Sequence, residues 1–144
     1  MRTAAGVGRE EVAMAKGRIL LVLSDPELLA SVGRELRSAG YEVLAARHGD
    51  HAVQRAHRTP PDVIILDFVS PSRRGHSLAV RLRDDTATAA IPIVYLAERA
   101  SEVDCDRARK LGVAKLIDLP CEPAVLAAAI DDLVERKRGR AGEA

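Results

Sequence analysis

Five short aliphatic runs, each followed by a stretch with helical spacing, constrain this chain more than any other feature. The runs lie at residues 18–23, 41–46, 63–67, 91–96 and 113–119. The third, Val63-Ile64-Ile65-Leu66 closed by Asp67, is apolar at four successive positions. A run of that kind reads as a strand buried on both faces. Five such strands separated by helices imply a parallel sheet with helices on both sides.

The punctuation between the runs fits helices. Asp25 followed by Pro26 marks the start of the first, and Gly40 its end. Leu28, Leu29, Val32 and Leu36 give it one apolar stripe. The second helix is expected over 50–58, with Ala52, Val53 and Ala56 inward and Thr59-Pro60-Pro61 as its stop. The turn-rich loop 70–75 leads to a third helix over 76–84, with Leu78 and Leu82 inward. Ser101 and Asp104 form the signature of a capping box for the fourth helix, which Gly112 closes. The fifth is expected over 123–136, with Val125, Leu126, Ala129, Ile130, Leu133 and Val134 as its stripe. Residues 1–17 have no sustained period and read as a flexible tail. Residues 18–136 read as one domain, and 137–144 as a basic disordered tail.

Composition removes several function classes. A length of 144 residues suits a single core, and a net charge of +1 provides no global field toward nucleic acid or membrane. Aromatic residues are 2% of the chain and Trp is absent, so no stacking platform for single strands is expected, nor direct nucleic-acid contact. The apolar runs fall far short of the ~18 residues of a spanning helix. No apolar segment of signal length opens the chain, and Cys105 and Cys121 make no disulfide framework. A cytoplasmic, reduced protein is expected. No glycine-rich phosphate loop follows the first strand, where the sequence reads SDPELL, and no nucleophile elbow is present. His48 and His51 have metal-like spacing but no third and fourth ligand, so they read as surface, and no metal site is expected. His57 and His76 are single histidines near helix ends.

The strand order expected for this α/β chain is 2-1-3-4-5, a flavodoxin-like doubly wound (βα)5 sheet. Ligands of such sheets bind beyond the C-terminal ends of the strands, where the order reverses. The expected rim is Leu23, Ser24, Asp67, Ala97 and Leu119.

Residues 18–134 resemble a bacterial response-regulator receiver domain. The resemblance is carried by RILLVLSDPELL, AGYEVLAARHGDHAV, PDVIILDFVSP followed by Gly75, IPIVYLA and KLGVAKLIDLP, in that order and spacing. In that family two acids after strand 1 help hold Mg²⁺, an Asp ending strand 3 accepts a phosphoryl group, and a Thr or Ser ending strand 4 senses it. A Lys before Pro at the end of strand 5 pairs with it, and an aromatic in strand 5 follows the switch. Carried over by position, Asp67 falls on the phosphoacceptor. The acid pair falls on Leu23 and Ser24, the Thr/Ser on Ala97, the Lys on Leu119 and the aromatic on Leu116.

What this leaves is a phosphoacceptor-position Asp without the partners of its chemistry. Phosphoryl transfer depends on positioning and on neutralising the equatorial oxygens, much of it by a divalent ion. Asp67, even with the Val69 carbonyl, is too small a ligand set for Mg²⁺. Two compensations stay open: a slip of strand 1 that brings Asp25 in, and a return of Arg73 or Arg74 onto Asp67. Lys115 lies roughly 13 Å along the strand from Leu119 and does not substitute. The run Arg136–Arg140 reads as a solvated helix end.

The resemblance implies two-component signalling. The expected role is a stand-alone, atypical receiver, a non-enzymatic protein-interaction module that works without phosphorylation. The faces implied are helices 4 and 5 with strand 5, or helix 1, for a signalling protein, a histidine kinase or a second copy. Two alternatives remain: a phospho-accepting receiver in a His–Asp phosphorelay, with Asp67 and an unusual Mg²⁺ site, and a flavodoxin-like small-ligand binder using the apolar cleft.

Overall fold

Polar side chains cap the helices that follow the first and fourth strands. The computed structural model describes residues 15–67 and 74–143, the side chains of 74–76 and 140–143 excepted. In chain order the elements are β1 (Arg18–Val22), α1 (Pro26–Ser38), β2 (Glu42–Ala46), α2 (Gly49–Arg58) and β3 (Val63–Asp67). Then come α3 (Arg74–Asp84), β4 (Ile93–Ala97), α4 (Glu102–Leu111), β5 (Lys115–Asp118) and α5 (Pro123–Glu143). The Asp25 side chain caps α1 by accepting from Glu27 N at 3.0 Å. Ser101 and Asp104 close a reciprocal capping box on α4, with bonds of 3.1 and 3.0 Å. A cap of this kind contributes about 1 kcal/mol. Gly112 ends α4 at φ 79°, a left-handed conformation that costs a side chain.

The five strands form one parallel sheet in the order β2-β1-β3-β4-β5, the order the sequence predicts. Its two faces are covered separately. Leu20, Val22, Ile64, Leu66 and Tyr95 face a cluster with Ala52 and Ala56 of α2, Leu78 and Leu82 of α3, and Ala108 of α4. Ile19, Leu21, Val63, Ile65 and Leu96 face the other way, onto Val32 and Leu36 of α1 and Leu126, Ile130 and Leu133 of α5. This two-sided cover explains why the central runs are uniformly apolar instead of alternating. Each aliphatic side chain fully buried there is worth about 1.5–3 kcal/mol.

The ends of the elements differ from the sequence reading. β1 stops at Val22, β4 begins at Ile93, β5 spans only Lys115–Asp118, and α3 starts two residues early at Arg74. Residues 1–14 of the predicted tail lie outside the described residues. Lys16 and Gly17 are tied down: Lys16 N donates to Gly40 O at 2.9 Å and Glu42 N to Gly17 O at 3.0 Å, which carries the pairing with β2 past the start of β1. At the other end α5 continues to Glu143, so the predicted break at 136 is corrected. Arg136 pairs with Asp132 one turn back at 3.3 Å, and Lys137 reaches Asp62 at 3.1 Å. The helix runs on through Gly139, a residue that costs roughly 1 kcal/mol relative to alanine in a helix interior.

The N-terminal edge of the sheet is held by hydrogen bonds and an ion pair. Arg18 N donates to Asp62 Oδ2 at 2.7 Å and Arg18 Nε to Glu42 at 2.8 Å. Tyr41 donates its hydroxyl to Asp131 of α5. Burial, and then the Asp131 carboxylate, push the Tyr41 hydroxyl well above the usual phenol range. Among the described residues, no helix is long and apolar enough to cross a membrane.

Candidate functional site

The cleft lies at the C-terminal ends of β1, β3, β4 and β5, and the register decides which side chains meet there. Val22 is level with Leu66, so the two residues after β1 come up beside Asp67, the last residue of β3. Successive residues of an extended chain point in opposite directions. Leu23 therefore turns into the core, where it is 2% exposed, and Ser24 turns out over Asp67.

Ser24 makes two hydrogen bonds to one oxygen. Its backbone N–H donates to Asp67 Oδ2 at 2.7 Å, and its hydroxyl donates to the same atom at 2.6 Å. Asp67 itself is half-buried. Asp25 stays out of this contact because its carboxylate is occupied as the α1 cap, so the strand slip that would bring it in does not occur.

The other rim residues are apolar and packed. Ala97 ends β4 and is buried, and its carbonyl accepts from Leu119 N at 2.8 Å. Leu119 and Cys121 pack against the buried cluster that contains Leu23. Burial pushes the Cys121 thiol up from its ordinary value. Leu116 is half-buried on the opposite face of the sheet. The structure thus brings Leu23, Ser24, Asp67, Ala97 and Leu119 to one end of the sheet, and leaves Leu116 inside β5.

Two features escaped the sequence reading. Tyr95 is fully buried in the middle of β4 and is the register partner of Leu116. Burial raises its hydroxyl above the usual phenol range, against a smaller opposing effect of the Arg83 charge. The signal was an aromatic inside the apolar run 91–96. The second is Arg99, with φ 56°, the only non-glycine of positive φ among the described residues. That conformation costs about 1–2 kcal/mol and turns the chain between Ala97 and the Ser101 cap. No sequence signal marks it.

The remaining candidates fall elsewhere. Lys115 opens β5, and its Nζ lies 3.5 Å from Asp132 of α5, away from Leu119. His48 precedes α2 and its ring lies 5.9 Å from that of His51, whose Nε2 accepts from Arg55 at 3.3 Å. His57 pairs with Asp85 at 2.5 Å. Among the described residues, no group of three or more His, Cys, Asp or Glu is arranged to hold a metal ion. Val69, Arg73 and the side chains of Arg74 and His76 lie outside the described residues.

Comparison with known proteins converges on one family. Residues 19–131 match the response regulator receiver domain. Protein PilH of Pseudomonas aeruginosa is 28% identical over 114 residues, covering 79% of this chain and 94% of PilH. The transcriptional regulatory protein PrrA of Mycobacterium leprae is 32% identical over 127 residues, 88% of this chain. The chain spans only about half of PrrA, 54% of its length. Among solved structures, the signal receiver domain of a signal transduction histidine kinase from Syntrophus aciditrophicus superposes with a TM-score of 0.74 at 29% identity. That match covers 83% of this chain and 90% of the other.

Proposed function

The chain belongs to the response regulator receiver domain family, and on that premise we propose that it is a non-enzymatic signalling module that binds a protein partner without phosphorylation of Asp67. The observation that carries this reading is the pair of bonds from Ser24 to Asp67 Oδ2. A hydroxyl and an amide donate to the carboxylate where the family places carboxylates that would share a cation with it. Leu23 is turned into the core and offers no ligand. Mg²⁺ needs near-octahedral oxygen, and the Asp67 carboxylate with one neutral hydroxyl does not fit that need. Ala97 has no hydroxyl and Leu119 no ammonium to meet a phosphoryl group.

The partner surface we assign is the face of α4, β5 and α5. Val103 on α4 and Val125 on α5 are 58% and 55% exposed, on the two helices that follow β4 and the edge strand β5. An acidic substitution at either valine is expected to abolish in-cell photo-crosslinking of the partner, while Asp67→Ala leaves it intact.

The direct test is phosphorylation by acetyl phosphate with millimolar Mg²⁺, read by intact mass. No mass gain is expected. A divalent-ion-dependent gain lost in Asp67→Asn would install the phosphorelay reading instead, for which the half-buried position of Asp67 at the end of β3 is the supporting observation. The small-ligand reading is weakened by the inward packing of Leu23, which removes it from the cleft lining.

A further inference from the structure

We propose that Ser24 and Asp67 form a built-in lock, which holds the cleft in one conformation with no ion or phosphoryl group. The inference deepens the reading above and rests on it in one respect: Asp67 is taken to act as a hydrogen-bond acceptor and not as a nucleophile. Ser24 is fixed twice, through its backbone and through its side chain, to a single oxygen of β3. Its neighbour Asp25 is the α1 cap, so the same contact sets the angle at which the chain enters α1. A second tie closes the far side of the cleft, where Leu119 N meets Ala97 O and the Leu119 side chain packs against the cluster that holds Leu23. β1 is joined to β3 beyond the last rung of their ladder, and the Leu119–Ala97 bond completes the last rung between β4 and β5.

The lock predicts a sign. Where carboxylates face one another across a cleft, each raises the free energy of the others, and removing one relieves repulsion. Among the described residues the groups that meet Asp67 Oδ2 are donors, so removing the carboxylate gives up two charge-assisted bonds at an exposed contact, which water replaces only in part. Asp67 is thus a stabilising residue of this fold.

Thermal unfolding of the full chain tests this with Ser24→Ala, Asp67→Ala and the double variant. Each single change is expected to lower Tm by about 3–6 °C. The double variant is expected to melt close to Asp67→Ala, because that change removes both bonds and Ser24→Ala removes only the hydroxyl one, leaving the backbone N–H in place. In Asp67→Ala the Ser24 amide proton is expected to move upfield, a change that general loosening of the domain would not confine to that residue. Asp67→Asn keeps an acceptor oxygen and is expected to fall between wild type and Asp67→Ala, which keeps the test readable if the alanine variant fails to fold. A rise in Tm for Asp67→Ala, or fully additive losses in the double variant, overturns the lock. Acetyl phosphate labelling of the wild type, run alongside, separates the two failures: label on Asp67 overturns the underlying assignment and the lock together, whereas an unlabelled protein with additive losses overturns the lock alone.

Discussion

Tyr95 of β4 and Leu116 of β5 are register partners on the same buried face of the sheet. The resemblance to receivers places an aromatic at the position of Leu116, in the edge strand, and this chain carries its ring one strand further in. A ring in an edge strand can turn outward. Tyr95 has neighbours on both sides in the sheet and is closed over by the α2–α4 layer, so it is a core residue. Tyr95→Ala is expected to cost about 3–5 kcal/mol, read as a lower urea midpoint. A loss below about 1 kcal/mol would show that the ring is not packed as described.

Both tyrosines of the chain resist ionisation. Burial raises Tyr41 and Tyr95 above their ordinary value of 10.0, and the Asp131 carboxylate adds to the effect at Tyr41. A raised phenol holds its proton more tightly in the folded state than in the unfolded one. The resulting stability is complete below about pH 10 and is lost as pH climbs toward the folded value. With no Trp to interfere, absorbance at 295 nm reports tyrosinate cleanly. The signal is expected to rise in one step that coincides with alkaline unfolding by circular dichroism. A phenolate signal well before that unfolding would contradict the burial of at least one ring.

Asp85 gives the opposite dependence. The Ala87 amide first, and then His57, hold its carboxyl below the ordinary range. A depressed carboxyl contributes stability that is present above its unfolded value and lost as pH falls through the folded one. Asp85→Asn is therefore expected to flatten the decline of Tm in acid below about pH 4, compared with wild type. Equal acid slopes for the two proteins would remove Asp85 from the account.

Much of this architecture was legible in the sequence because its signals are local. Asp25-Pro26, the Ser101/Asp104 box and Gly112 fix helix ends through bonds within a few residues. The uniform apolarity of 63–66 announces two covered faces, and five successive βα units point to a doubly wound sheet. The ends that failed depend on distant partners. Lys137 steadies α5 through Asp62, 75 residues away, and Gly17 is held by Glu42. At the site, sequence position brought Ser24 and Asp67 to one rim. It gave no sign that Ser24 would donate twice to one carboxylate oxygen, because that depends on how β1 and β3 align. Nor did it show that Leu23 would face inward, since this is set by the alternation of β1 against a layer formed by α1 and α5.

That inward turn limits what substitution can recover at the cleft. Leu23 lies in a buried apolar cluster with Ile19, Leu21 and Leu36, so a carboxylate there would be desolvated with no cation among the described members of that cluster. Leu23→Asp is expected to cost about 3 kcal/mol or more, from lost apolar burial together with the penalty on an unpaired charge. Ser24 is exposed, and Ser24→Asp exchanges two donated bonds for at most one and sets a second carboxylate beside Asp67. Its expected cost is smaller, about 1–2 kcal/mol, and should grow at low salt as repulsion is less screened. Urea unfolding of both variants at two ionic strengths separates the cases. The Leu23→Asp loss should be nearly independent of salt and the Ser24→Asp loss should shrink as salt is added. If Leu23→Asp were tolerated as well as Ser24→Asp, residue 23 would have to face the cleft, and the inward packing of β1 at that position would be overturned.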